Sequence, residues 1–158
     1  VDRFLVKLLI GYPEEGQYHD ILERTIGEEI PELEPVSSAE EILTMRRIVR
    51  SVPMTEQVRA YAIRLVMCTQ PGSPYALKEV NRSVELGASP RGAQALLLMG
   101  KVRALLDGRF AVSCRDIRDV ALPVLRHRIL LNFRGQAEGM KPDDLIKAGL
   151  ASISELST

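Results

Sequence analysis

The sequence predicts an all-α protein, a bundle of about six helices preceded by one short strand. Three observations predict it. Apolar residues are 46% of the 158-residue chain but aromatics only 4%, with no Trp. The core must then come from Leu, Val, Ile, Ala and Met, a set that favours helices over a β-sandwich. Apolar residues also recur at helical spacing through most of the chain. The exception is Phe4-Leu5-Val6-Lys7-Leu8-Leu9-Ile10, an apolar run stopped by Gly11. It is too short for a free helix and reads as a buried strand.

Each element has its own signal. Pro13-Glu14-Glu15 opens a helix, since Pro suits the first helical position and acids suit the positive end of the dipole. Tyr18, Ile21, Leu22 and Thr25 continue it, and Gly27 stops it. Residues 28–36 are acidic and proline-bearing, a loop. Ser38-Ala39-Glu40-Glu41 is a capping box, and Ile42, Met45, Ile48 and Val49 trace the helical face that follows, to about Ser51. Pro53 breaks it. Thr55 caps the next helix, with Val58, Ala62, Leu65, Val66 and Cys68 inward. Pro71-Gly72-Ser73-Pro74 breaks the pattern again, and Tyr75 to Leu86 is helix-compatible without demanding a helix. Ser89-Pro90-Arg91 starts a long Ala/Leu-rich helix ending near Gly108. Ser113-Cys114-Arg115-Asp116 caps another, which Pro123 should kink or end. Lys141-Pro142-Asp143-Asp144 opens a last short helix, and residues 154–158 form a frayed tail.

The chain has the length of one domain and is long enough to bury a core without metal or disulfide. Lys+Arg and Asp+Glu are 21 each, which argues against a nucleic-acid binder, whose affinity rests on basic excess. Cys68 and Cys114 have no ligand-like spacing to His19 or His127, so no metal site is expected; they read as buried or half-buried thiols of a reducing compartment. No stretch approaches a membrane span and no secretory leader is seen, so a cytoplasmic location is expected. The chain starts at Val1 rather than Met, and a single strand without a sheet partner suggests that more of the fold lies upstream.

The sequence lacks a G-x-x-x-x-G-K-[ST] loop, an acidic pair after an apolar strand, and any Ser-His-Asp arrangement. Two arginines stand out by position. Arg91 lies in the first turn after the Ser89-Pro90 cap, where free N–H groups and the dipole favour an anion. A cation there opposes the local dipole by a few tenths of a kcal/mol unless an anion is bound; an exposed or ion-paired arginine is the alternative. Arg3 precedes the apolar strand and says little alone.

Five pieces, in order, resemble MoxR-type AAA+ ATPases. They are Asp2-Arg3-Phe4 with its apolar run and Gly11-Tyr12-Pro13, and Gly87-Ala88-Ser89-Pro90-Arg91-Gly92-Ala93-Gln94-Ala95-Leu96. Gly108-Arg109-Phe110-Ala111-Val112 with Asp116 follows, then Val124-Leu125-Arg126-His127-Arg128. The last is Asn132-Phe133 through Ala137-Glu138-Gly139 with Pro142-Asp143-Asp144. The resemblance implies a division into the last strand of an ATPase core, residues 1–11, and the helical lid, residues 12–158. It implies that Arg91, with Ser89 and Pro90, is the sensor-2 group meeting the γ-phosphate of ATP. It implies that Arg3 enters a neighbouring subunit's site as a trans arginine finger. ATP, Mg²⁺ and the Walker motifs would belong to the missing core, leaving this piece inactive alone. A hexameric ring that assembles or activates protein complexes is implied, with clients that include von Willebrand factor A domains.

Two other readings stand beside it. A stand-alone helical adaptor would use residues 75–86 as its binding face. A DNA-binding domain would use Arg115, Arg118, Arg126, Arg128 and Arg134, against the charge balance and the nearby Asp116 and Asp119. His127 between two arginines reads as a half-buried histidine on a solvated helix face. The apolar run 4–10 is expected to leave the chain self-associating through an open edge, which sedimentation across a concentration series would show; a strict monomer would refute it.

Overall fold

The computed structural model describes residues 2–27 and 32–155. Part of the expected 28–36 loop and the end of the expected frayed tail lie outside them. Among the described residues there are eight α-helices and a two-stranded antiparallel sheet. The helices are α1 (Glu15–Ile26), α2 (Ala39–Ser51), α3 (Glu56–Met67), α4 (Lys78–Ser83), α5 (Pro90–Leu106), α6 (Cys114–Leu125), α7 (Phe133–Ala137) and α8 (Pro142–Ser152). The strands are β1 (Val84–Leu86) and β2 (Leu130–Leu131). The fold is all-α, as the composition and periodicity imply.

The expected caps form. Ser38 accepts from the Glu41 N–H while the Glu41 carboxylate accepts from the Ser38 N–H (2.7 Å), closing the capping box of α2. Thr55 caps α3, and Ser113 with Asp116 closes a second box on α6. Gly27 ends α1, and Gly108 turns the chain after α5 with φ +71, a conformation that costs glycine nothing. Pro123 sits near the end of α6, which stops at Leu125.

The core lies where α3, α5, α6 and α8 meet. Tyr61, Leu65, Leu96, Ile117, Leu125 and Ile146 are completely buried. Small residues set how closely the helices approach. A Cβ on Gly100 of α5 would come 2.8 Å from Ile117 Cδ1 of α6, and one on Gly149 of α8 would come 2.5 Å from Cys68 Sγ. Tyr61 was not among the residues expected inward; its hydroxyl accepts from Arg118 Nη1 (3.2 Å), which also donates to the Leu150 carbonyl and ties α8 down.

Two readings need correction. Residues 4–10 are not part of a ladder: β1 and β2 pair with each other, and no strand edge meets this run among the described residues. It lies extended on the bundle, with the Lys7 N–H donating to the Pro123 carbonyl (2.8 Å) at the end of α6. A strand needs a partner's carbonyls and amides, which local sequence cannot supply. Its apolar side chains remain open to solvent: Phe4, Leu8 and Leu9 are 67–69% exposed and Ile10 is 89% exposed.

The second concerns residues 75–86. They are an ordered part of the bundle, with Val80 and Ser83 buried and Val84 pairing with Leu131 across the sheet. Gly135 of α7 packs directly on this segment, where a Cβ would come 2.5 Å from the Ser83 carbonyl oxygen. Of the candidate adaptor face, Val80, Ser83 and Val84 are thus turned inward, while Tyr75 and Leu86 stay exposed.

Candidate functional site

The geometry begins at the N-terminus of α5. The preceding loop is held against the end of α3. Ala88 N–H donates to Thr69 Oγ1 (2.9 Å), and Gln70 Nε2 donates to the Ala88 carbonyl (2.7 Å). Gly87 permits this approach, because a Cβ there would run into the Thr69 carbonyl and sit 2.7 Å from Gln70 Cα. Ser89 is then the N-cap, accepting from the Arg91 N–H (3.2 Å), and Pro90 takes the first helical position. Arg91 therefore leaves the first turn of a rigid helix with its side chain 63% exposed.

The Ser89 hydroxyl has a second partner. It donates to Asp2 Oδ2 (2.8 Å), and the same oxygen lies 3.8 Å from Arg91 Nη1. The other carboxylate oxygen, Oδ1, lies 3.2 Å from Nε of Arg128. An open cavity of about 320 Å³ follows, lined by Asp2, Arg3, Leu5, Arg91, Gln94, Leu98 and Arg128. The fold thus brings Arg3, Ser89 and Arg91 to one place, together with Asp2 and Arg128, which sequence reasoning had not assigned to this site. Arg3 is exposed at the cavity wall. Three cations and one carboxylate leave the cavity with an excess of positive charge, suited to an anion.

Arg128 corrects the expectation of a solvated basic face. Its side chain is 2% exposed, and burial pulls its pKa below the usual arginine value while Asp2 works in the opposite direction. Arg126 is also covered, paired with Asp143 (2.9 Å), and His127 Nε2 lies 3.0 Å from the Phe4 carbonyl. Arg118 faces Glu155 (3.6 Å) and Arg134 faces Glu138 (3.0 Å). Most of the arginines proposed for DNA are thus matched by carboxylates. The sequence signal for Arg128 was its place just after an apolar helix end. Its partners, up to 126 residues away, were not visible.

The turn between α5 and α6 is organised by ions. Asp116 is wholly buried and accepts from both terminal nitrogens of Arg109. It also accepts from the Ser113 N–H (2.8 Å) and hydroxyl (2.9 Å). Burial alone would raise its pKa, but the Arg109 and Ser113 hydrogen bonds outweigh burial and hold it at about 2. Both cysteines are buried free thiols, and burial pushes Cys68 up to about 11. Neither is poised as a nucleophile. Among the described residues no cluster could hold a metal, and no helix is long and apolar enough to cross a membrane.

Comparison with known proteins agrees with this architecture. Residues 77–148 match the AAA lid domain family. The chain is 28% identical over 97% of its length to the chaperone MoxR1 of Mycobacterium tuberculosis, of which it covers 40%. It is 40% identical to the MoxR protein of Paracoccus denitrificans over 74 residues, which are 46% of this chain and 22% of that protein. The crystal structure of an ATPase candidate from Cytophaga hutchinsonii superposes with TM-score 0.88 at 28% identity, over 97% of this chain and 47% of that one. The chain thus spans less than half the length of these relatives. The lid match falls on α4 to α8, with Arg91 on α5 and Arg128 in the turn after α6, and together these likenesses support a lid fragment of the MoxR-type AAA+ kind.

Proposed function

We propose that this chain is the lid of a chaperone-like, ATP-driven machine and contributes Arg91 to its nucleotide site. The observation that carries the reading is the cavity at the start of α5, where the exposed Arg91 guanidinium and Arg3 share one opening. An arginine fork at a helix N-terminus suits bidentate binding of a phosphate. Ser89 and Pro90 fix the turn that aims it. In this reading residues 1–11 end the ATPase core and residues 12–158 form the lid. Arg91 serves as sensor 2 toward the γ-phosphate of its own subunit's ATP, and Arg3 reaches a neighbouring subunit's site in a hexameric ring. Mg²⁺ and the β- and γ-phosphates would be held by the core's Walker groups, which this sequence lacks. Lid movement as a rigid body would then report nucleotide state to protein clients, von Willebrand factor A domains among them.

The division of labour is tested by calorimetry. The 158-residue chain titrated with MgATP should show no tight binding and no turnover, because it offers cations to a phosphate but no phosphate loop. Tight binding with turnover would mean a complete nucleotide site and would overturn the accessory role.

A further inference from the structure

We infer that Arg128 is a positioning residue, a buried fork that clamps the segment carrying Arg3 onto the helix end carrying Arg91 and so sets the spacing of the two arginines. The inference rests on the reading above that Arg91 serves its own subunit's nucleotide site and Arg3 a neighbour's.

Residues 2–5 belong to no helix or ladder, so their carbonyls need other donors. Arg128 supplies them. Its Nη2 donates to the carbonyls of Asp2 (3.3 Å) and Phe4 (2.6 Å), and its Nη1 donates to that of Leu5 (3.3 Å). Nη1 also donates to the Val124 carbonyl within α6, which anchors the fork to the bundle. The carbonyls on either side of residue 3 are thereby held, while the Arg3 side chain is left at the cavity. A planar guanidinium with five donors suits this span; a lysine, a single point charge, does not.

The clamp reaches Arg91 through one carboxylate. Asp2 is 3.2 Å from Arg128 Nε by Oδ1, and by Oδ2 it accepts from the Ser89 hydroxyl and faces Arg91. Gly92 makes room for the stem of Arg128 beside α5, where a Cβ would come 3.4 Å from its Cδ. Burying the guanidinium is costly, and an apolar side chain would hold the bundle without that cost. What an apolar side chain could not do is grip the carbonyls around Arg3 and the Asp2 carboxylate at once.

The test uses Arg128→Met and Asp2→Asn. In the 158-residue chain, Arg128→Met should raise hydrogen exchange of the Lys7 amide at least about tenfold, while buried amides of α5 keep their protection. In the ATPase that carries this chain it should lower kcat about tenfold or more with KM for ATP little changed, and should cost nothing further in an Arg3→Ala background. Unchanged Lys7 protection, or kcat losses that multiply with those of Arg3→Ala, would overturn the clamp. If Arg128→Met fails to fold, Asp2→Asn carries the test, with the same changes at smaller size; wild-type exchange and kcat in that variant would refute it. If Arg91→Ala leaves turnover intact while Arg128→Met frees Lys7, the clamp holds the segment and the nucleotide reading is what falls.

Discussion

Arg91→Ala in the intact ATPase should lower ATP turnover by about 10- to 10³-fold, the range for groups that stabilise charge on a transferred phosphoryl. The lid should stay folded. Arg91 is 63% exposed and its ion pair with Asp2 spans 3.8 Å, so water already screens most of that interaction. A large loss of rate without a loss of stability separates a phosphate contact from a structural arginine. Arg91→Lys should recover only part of the rate, because a lysine keeps the charge but loses the fork. Steady-state turnover read beside thermal unfolding checks both halves. Wild-type turnover in Arg91→Ala would remove this residue from the nucleotide site.

The second large effect is on stability. Asp116→Ala should destabilise the lid by about 3 kcal/mol, because it removes a buried acceptor of several hydrogen bonds and leaves the Ser113 N–H without its cap partner. The contribution should also depend on pH in a defined direction. The folded-state pKa is about 2, below the ordinary 3.8, so the folded state favours the ionised form. The stabilisation is therefore complete above about pH 4 and is lost as pH falls through about 2. Linkage puts that pH-dependent part at ~2 kcal/mol. Urea midpoints measured between pH 5 and pH 2 should fall for the wild type and flatten for Asp116→Asn. An equal acid slope in both would assign the acid sensitivity to other carboxylates.

Most helix boundaries were legible because their causes are local. A cap such as Ser38 with Glu41 or Thr55 acts over a single turn, and Pro90 and Gly108 act through their own dihedral angles. Arg91 was visible for the same reason, since Ser-Pro-Arg writes a helix start into adjacent letters. The short α7 and the β1–β2 pair were less legible. α7 is 5 residues long, and neither strand exceeds 3, too few to show a period. Residues 4–10 looked like a strand because apolar extended runs share one signature whether or not an edge awaits them.

Composition, period and caps thus determined an all-α bundle with an arginine at the mouth of its longest described helix. Tertiary structure alone decided what surrounds that arginine. Asp2 and Arg128 come together across 126 residues of chain, and their pairing depends on the packing of α5 against α6 and on the space that Gly92 leaves. Local pattern records how a chain turns, because dihedral preference and capping act between neighbours. It does not record which carboxylate will be desolvated beside which cation, because that depends on surfaces that exist only after the helices have packed.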